Sequence, residues 1–294
     1  MNAELRKILE NQIFRYENPK RIPLSVRYPN LRKSIMEIKR AKRKFSNIFN
    51  ANICYKKGTA YFPNIAARHQ SVLRRRLGDS NPRLQEQKII NIRQAIKKFD
   101  MVIIEPGKVF SFWNILGTLS RDKGYVDGML ISNGKVKEGL GGGLCQLANF
   151  FYWIWLHVPC EVVERYHHSV DIFPDSGRVL PFGSGATIVQ NYIDLQIKNT
   201  SHSPIQIKIW LTDKHLKGQL LSLNRIPQKF HIFEKNHTFA SKNQQYFRYN
   251  EIWREEKREG KIQKTQKIAT NFAPVLYPIN SNYFNQNNFT CLQF

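Results

Sequence analysis

The stretch that decides the fold reads GGGLCQLANFFYWIWLHV and runs from Gly141 to Val158. It is too short for a membrane-spanning helix, which needs about 20 apolar residues, and too apolar for a surface loop. After the three glycines there is room for a helix of about three turns, and aromatic residues cover nearly all of its sides. The stretch therefore predicts a buried helix that ends before Pro159.

Cys145 lies in the first turn of this predicted helix, where backbone N–H groups and the helix dipole favour a thiolate. The preceding Gly141, Gly142 and Gly143 permit positive φ and a close approach of the backbone to a ligand. We therefore expect a lowered pKa for the Cys145 thiol and a nucleophilic role. The alternative is a small buried cysteine that follows a tight turn.

His167 and His168 are the candidate bases for such a cysteine. His168 stands 23 residues after Cys145. Both lie on a segment predicted as the strand that returns beside the helix. Strand alternation directs the two rings to opposite faces, so only one can serve, and His168 is the candidate. Asp171 or Asp194 is the expected orienting carboxylate. The alternative is a pair of histidines that form hydrogen bonds at a polar edge.

The hydrophobic period changes from helix to strand at Met101, which predicts an α+β fold of mixed strands and hairpins packed on the buried helix. The last residues, from Asn280, are Asn-rich and are predicted to be loose. The predicted elements are a strand, a Pro-Gly turn and a strand in 101–112, a hairpin turning at Asn133-Gly134, strands in 160–173, 193–199 and 203–211, and a hairpin turning near Glu259-Gly260.

The formal net charge of +24 is concentrated at the start of the chain, where residues 1–100 carry 24 Lys and Arg against 7 Asp and Glu. Apolar residues at mostly helical spacing and five basic residues from Lys39 to Lys44 predict a basic amphipathic helix. Such a helix lies on an anionic membrane, binds an acidic partner or docks on its own domain. A second helix is predicted from Leu84 to Phe99, with Ser80 or Asn81 ahead of Pro82 as its start.

These patterns divide the chain into a basic, largely helical part (1–80), an α+β core (81–225) and a hairpin extension with a loose tail (226–294). Four cysteines without CxxC pairs or Cys/His metal spacing predict free thiols, no metal and no cofactor. The first residues carry charges where a secretory signal has an apolar core, which favours a cytoplasmic location.

Five motifs, in their order and spacing, resemble the VanW family: PGKVFSF, KGYVDGMLISNGKV, GGGLCQLANFFYW, VVERYHHSVDIFPDSGRVLPFGSGAT and DLQIKN. The resemblance implies a role in glycopeptide resistance or cell-envelope peptide metabolism. The family's usual aspartate before an Ala-Thr pair is Gly185 here, which shifts the expected carboxylate to Asp171 or Asp194. The signature positions carried over are Gly141, Gly142, Gly143, Cys145, Gln146, Arg165, His168 and Asp194.

Two functions remain open. As an enzyme, the chain would use Cys145 to attack an amide or ester carbonyl of a peptidoglycan-precursor peptide, with His168 as base and then acid, and Gln146 with the helix-start amides holding the oxyanion. As a binding protein, it would hold an anionic cell-wall precursor at the glycine loop, with Arg165 adding positive charge, or would contact an anionic membrane surface at the inner face. Nucleic-acid binding rests on charge alone and is disfavoured.

Overall fold

The computed structural model describes residues 3–19, 27–74, 82–132, 135–172, 174, 179–279, 283–284 and 289–294. The α+β fold is confirmed. The helices are α1 (Ala3–Glu17), α2 (Arg32–Phe49), α3 (Pro82–Phe99), α4 (Phe112–Leu116) and α5 (Leu144–Trp155), and a 3₁₀ turn (Pro29–Leu31) precedes α2.

The strands form several separate sheets. They are β1 (Lys56–Lys57), β2 (Asn64–Val72), β3 (Val102–Ile104), β4 (Val109–Ser111), β5 (Asp127–Ser132), β6 (Lys135–Leu140), β7 (Cys160–Glu164), β8 (Gln196–Asn199), β9 (Ile205–Leu211), β10 (His215–Ser222), β11 (Lys229–Lys242), β12 (Gln245–Arg258), β13 (Lys261–Pro274) and β14 (Cys291–Gln293). The sheet orders are β1-β3-β9-β10-β2, β13-β12-β11-β14, β4-β8-β7 and β5-β6. All pairs within these sheets are antiparallel except β11 with β14.

Helix α5 lies at the centre of the main core, as its sequence predicts. Phe151 and Trp155 are fully buried, and the Phe151 ring lies 4.7 Å from that of Phe99 and 5.2 Å from that of Phe110. Aromatic rings at such distances add to the free energy gained by burying their area. The helix is therefore the element on which α3, β4 and the strands of the five-stranded sheet pack.

The two other predicted helices are also confirmed, as α2 and α3. The apolar stripe of α3, formed by Ile89, Ile92, Ile96 and Phe99, is buried in the same core as α5. The predicted start signals of α3 at Ser80 and Asn81, and the predicted turn at Asn133-Gly134, lie outside the described residues. The strands on either side of that turn, β5 and β6, pair as the predicted hairpin.

The segments 101–112 and 193–211 each contain the two strands predicted for them. In both segments, however, the two strands belong to different sheets. β3 and β9 join the five-stranded sheet, whereas β4 and β8 join the three-stranded one. The Pro-Gly turn, in which Gly107 has a φ of 75°, therefore carries the chain from one sheet to another. Sequence periodicity identifies a strand but not its partner.

Two predictions about the strands need correction, and a third needs an addition. The strand predicted for 160–173 ends at Glu164, after which only single bridges occur at Tyr166 and Asp171. The tail contains the predicted hairpin at Glu259-Gly260, but also an unforeseen one between β11 and β12. The chain end predicted to be loose includes β14, which pairs in parallel with β11 because Leu292 packs under that sheet.

The N-terminal part packs on one sheet and adds a strand to another. Leu9 and Ile13 of α1 are buried against Phe247 and Tyr249 of the four-stranded sheet. β2, within residues 1–80, is the edge strand beside β10. The division of the chain into three parts stays a prediction. Within the part of the chain that is described, none of the helices has the length and apolarity needed to cross a bilayer.

Candidate functional site

The glycine turn before α5 is packed tightly against its neighbours. A Cβ built on Gly142 would lie 2.0 Å from the carbonyl carbon of Gly128 in β5. Gly143, which precedes α5, has a φ of 94°, and a Cβ there would lie 2.0 Å from Lys88 Cγ. Only glycine fits at either position, so the turn brings α5 close to β5 and α3.

The backbone N–H groups of this turn already have partners in the core. The Gly141 N–H donates to the Val126 carbonyl at 3.0 Å, and the Gly142 N–H donates to the Gly139 carbonyl at 3.1 Å. The buried Asn91 amide donates to the Gly142 carbonyl at 2.9 Å. A phosphate or carboxylate cradle needs N–H groups directed at the ligand. This geometry therefore argues against a ligand-binding role for the N–H groups of Gly141 and Gly142.

Cys145 lies where the sequence places it, in the first turn of α5, with its side chain half-buried against the core. The backbone N–H groups of Ile188 and of Cys145 itself act to lower the pKa of the thiol. Burial acts more strongly in the opposite direction and raises the pKa of the Cys145 thiol. The direction of this shift is opposite to the lowering of the pKa expected from the helix start.

A short segment, residues 185–188, runs along the face of α5 that carries Cys145. One helical turn after the cysteine, the Asn149 side-chain oxygen accepts the Ala186 N–H at 2.7 Å. The Ile188 N–H reaches the Cys145 sulfur two residues further along the segment. Cys145 and Asn149 are four residues apart and therefore share one helix face, which this segment covers.

His168 contacts the same segment. Its Nδ1 lies 3.1 Å from the hydroxyl oxygen of Thr187. A Cβ built on Gly185 would lie 2.9 Å from His168 Nε2 and 2.7 Å from Asn149 Oδ1, so both side chains meet at this glycine. We refer to Cys145, Asn149, His168, Gly185 and Thr187 as the Cys145 cluster.

The two histidines differ in exposure, but strand alternation is not the cause because β7 ends at Glu164. His167 is exposed and His168 is half-buried. The Thr187 hydroxyl also lies 3.2 Å from the His167 carbonyl, which can only accept a hydrogen bond. When the hydroxyl donates there, His168 Nδ1 must carry a hydrogen and Nε2 is the acceptor nitrogen.

Gln146 points away from the Cys145 cluster. Its amide nitrogen donates to the Ser71 hydroxyl at 3.0 Å and to the Val72 carbonyl at 2.8 Å. Both amide hydrogens are thereby engaged at the end of β2. In this arrangement the side chain ties α5 to the five-stranded sheet and is not directed at an oxyanion.

Arg165 holds the loop that leads into residues 185–188. Its guanidinium donates to the carbonyls of Gly183 and Gly185 and, at 3.1 Å, to the Asn271 side-chain oxygen. It also lies over the Tyr152 ring at 4.8 Å, and burial lowers its pKa. Through these contacts the Arg165 guanidinium holds Gly185 in its position beside His168.

Asp194, one of the two expected orienting carboxylates, lies at the start of α4. It accepts hydrogen bonds from the Ser111 hydroxyl at 2.6 Å and from the Trp113 N–H at 3.1 Å. Burial raises the pKa of this carboxyl, against the lowering effect of its hydrogen bonds. These contacts make Asp194 a cap of α4.

Asp171, the other expected carboxylate, contacts the C-terminal sheet. It is 5% exposed and lies 3.2 Å from the guanidinium of Arg248, which is 1% exposed. The Tyr277 hydroxyl donates to the same carboxylate oxygen at 3.2 Å. The backbone of Asp171 forms hydrogen bonds to Pro274 and Leu276, so the residue joins the histidine segment to β13.

Three residues of these arrangements were missed by sequence reasoning. Asn149 could have been found, because it stands four residues after Cys145 and shares its helix face. Thr187 and Arg248 have no local sequence signal, since their partners are 19 and 77 residues away along the chain. Among the described residues, no group of three or more His, Cys, Asp or Glu could hold a metal ion.

The protein has an α+β fold whose main core surrounds the buried helix α5, which follows the glycine turn and carries Cys145. Residues 87–221, which contain the whole Cys145 cluster, match the family model described as VanW like protein. Over these residues the chain is similar to the VanW family.

Among its relatives, vancomycin B-type resistance protein VanW from Enterococcus faecalis is 29% identical over 197 residues, which are 66% of this chain and 72% of that protein. Uncharacterized protein YoaR from Bacillus subtilis is 30% identical over 118 residues, which are 40% of this chain and 37% of that protein. No solved structure matches the chain significantly.

Proposed function

We propose that this chain is an accessory protein linked to glycopeptide resistance or cell-envelope peptide metabolism, and that it binds an anionic cell-wall precursor at the Cys145 cluster. The observation that carries the proposal is the similarity to the Enterococcus faecalis resistance protein across a region that contains this cluster. The polar side chains of the cluster are those of Asn149, His168 and Thr187.

Three features favour binding over bond cleavage. Burial raises the pKa of the Cys145 thiol, the Gln146 amide is engaged at β2, and both candidate carboxylates have other partners. A cysteine nucleophile needs a thiolate, a base and an oxyanion donor within reach of one carbonyl.

Acyl transfer at Cys145 is the second candidate function. It is favoured by the backbone N–H of Ile188, which acts to lower the pKa of the Cys145 thiol at the start of α5. In this mechanism the thiolate attacks the carbonyl carbon of an amide or ester. His168 takes the thiol proton and returns it to the leaving amine or alcohol.

We also propose a cytoplasmic location at the inner face of the membrane. All four cysteines are free, which fits a reducing compartment.

Titration calorimetry with UDP-N-acetylmuramyl pentapeptide, an anionic peptidoglycan precursor, tests the proposed binding. We expect saturable binding to the full chain and a weakening of about tenfold in His168→Ala, because a hydrogen bond to a charged ligand is lost. His167→Ala is the matched control, since its neighbouring ring is exposed, and should bind as the wild type does. Absence of binding, or equal effects of the two substitutions, would contradict the proposal.

Mass spectrometry of the same mixture separates the two candidate functions. The binding function predicts that the precursor keeps its mass and that Cys145→Ser binds it normally. A shortened peptide or an acyl adduct on the protein, lost in Cys145→Ser, would instead support acyl transfer.

A further inference from the structure

Helix α2 presents an apolar ridge to solvent. Leu31, Ile38 and Phe45 are 56%, 68% and 66% exposed. They stand seven residues apart, which places them along one side of the helix over about four turns. We refer to these three residues as the apolar ridge. A helix on a protein surface ordinarily turns such a side towards the core.

The polar side of α2 is the one that contacts the protein. Arg43 forms an ion pair with Glu164 at the end of β7 and donates to the Tyr192 carbonyl at 3.3 Å. Lys39 donates to the Tyr192 hydroxyl at 3.3 Å, and its ammonium lies 5.1 Å from the centre of that ring. Lys39 and Arg43 are one turn apart, so together they fix the rotation of the helix and direct the apolar ridge outwards.

The charge around the ridge indicates what would cover it. Lys33, Lys42 and Lys44 are exposed on α2, whereas its one acidic residue, Glu37, is neutralised by Arg40 at 2.6 Å. The exposed Tyr28 lies just before the helix. Exposed aliphatic and aromatic side chains on a helix that also carries exposed lysines match a membrane interface with anionic headgroups. A nucleic acid would use the lysines but would gain little from Leu31 or Ile38.

We propose that α2 is a membrane-interface helix that binds anionic lipid bilayers. The apolar ridge enters the boundary between headgroups and acyl chains, and the exposed lysines contact the headgroup phosphates. Lys39 and Arg43 keep the helix attached to the core, so the whole domain is held at the surface. This proposal rests on α2 alone and does not depend on the function of the Cys145 cluster.

Cosedimentation of the full chain with vesicles tests the proposal. We expect binding to vesicles of phosphatidylcholine and phosphatidylglycerol in equal parts, and weak binding to phosphatidylcholine alone. Raising the salt from about 50 mM to about 500 mM should reduce binding, because headgroup attraction is screened. Ile38→Ser/Phe45→Ser should weaken binding by about tenfold or more, since two large apolar side chains no longer enter the bilayer.

The matched control is Phe14→Ser/Ile262→Ser, which removes one phenylalanine and one isoleucine of similar exposure, 64% and 54%, outside α2. It should bind vesicles as the wild type does. Equal losses in the two double variants would overturn the proposal, as would wild-type binding by Ile38→Ser/Phe45→Ser. Binding that falls in Lys33→Gln/Lys42→Gln/Lys44→Gln but not in the ridge variant would also overturn it, in favour of a polyanion contact.

Discussion

Gly142→Ala is expected to lower the stability of the fold by about 3 kcal/mol or more, at the upper end of the range for overpacked cores. The added methyl group would lie 2.0 Å from the carbonyl carbon and 2.1 Å from the oxygen of Gly128. These are backbone atoms of β5, so no side chain can rotate away to make room. The turn would have to move from β5 and take the start of α5 with it.

Thermal unfolding measures this effect. For a chain of 294 residues, a change of 3 kcal/mol corresponds to a decrease in Tm of about 5 °C. Gly107→Ala is the control, because Gly107 has a positive φ of 75° in the Pro-Gly turn but nothing within 4 Å of its Cβ position. It reports backbone strain alone and should cost about 1 to 2 kcal/mol. A Gly142→Ala protein as stable as Gly107→Ala would show that β5 is not packed as described.

Arg248→Met is expected to destabilise the protein by about 3 to 5 kcal/mol, the usual effect of removing one partner of a buried ion pair. The substitution would leave the Asp171 carboxylate buried without its cation. Arg248 also donates to His237 Nε2 at 2.9 Å and lies over the rings of Phe182 and Phe239 at 4.7 and 5.2 Å. These contacts would be lost with the guanidinium.

Urea unfolding of three further variants identifies the cause. Arg121→Met breaks an exposed pair with Asp127, in which the side chains are 69% and 34% exposed, and should cost about 1 kcal/mol or less. Arg248→Met combined with Asp171→Asn should lose less stability than the sum of the two single variants, because the buried charge is gone. Strict additivity would mean that the two side chains do not interact.

Local structure was predictable wherever the pattern was strong. The aromatic run after Gly143 and the stripe from Ile89 to Phe99 each identify a buried helix, because apolar residues at helical spacing have few other solutions. The hairpin at Glu259-Gly260 was also predictable. In the structure both turn residues adopt the positive φ that such turns need.

Strand pairing and the partners of the site residues were not predictable in this way. β3 and β4 are four residues apart, yet they pair in different sheets with strands nearly 100 residues away. Asp171 and Asp194 have the residue type of an orienting carboxylate, but long-range contacts with Arg248 and Ser111 engage them elsewhere. The pKa of Cys145 was not predictable for the same reason. Its position at the start of a helix accounts for the nearby N–H groups, which lower the pKa, but not for the burial of the thiol by the rest of the fold, which raises it.

The rate of iodoacetamide alkylation against pH, followed at each cysteine by mass spectrometry, tests most directly whether Cys145 is a neutral thiol in a binding site. We expect Cys145 to react more slowly at pH 7 than the exposed Cys54, with a midpoint above the ordinary cysteine value of about 8.5. The midpoint reports ionisation separately from access to the reagent, and His168→Ala should leave it unchanged. A midpoint below the ordinary value, with Cys145 the fastest of the four cysteines and slowed by His168→Ala, would contradict the account and identify Cys145 as a nucleophile.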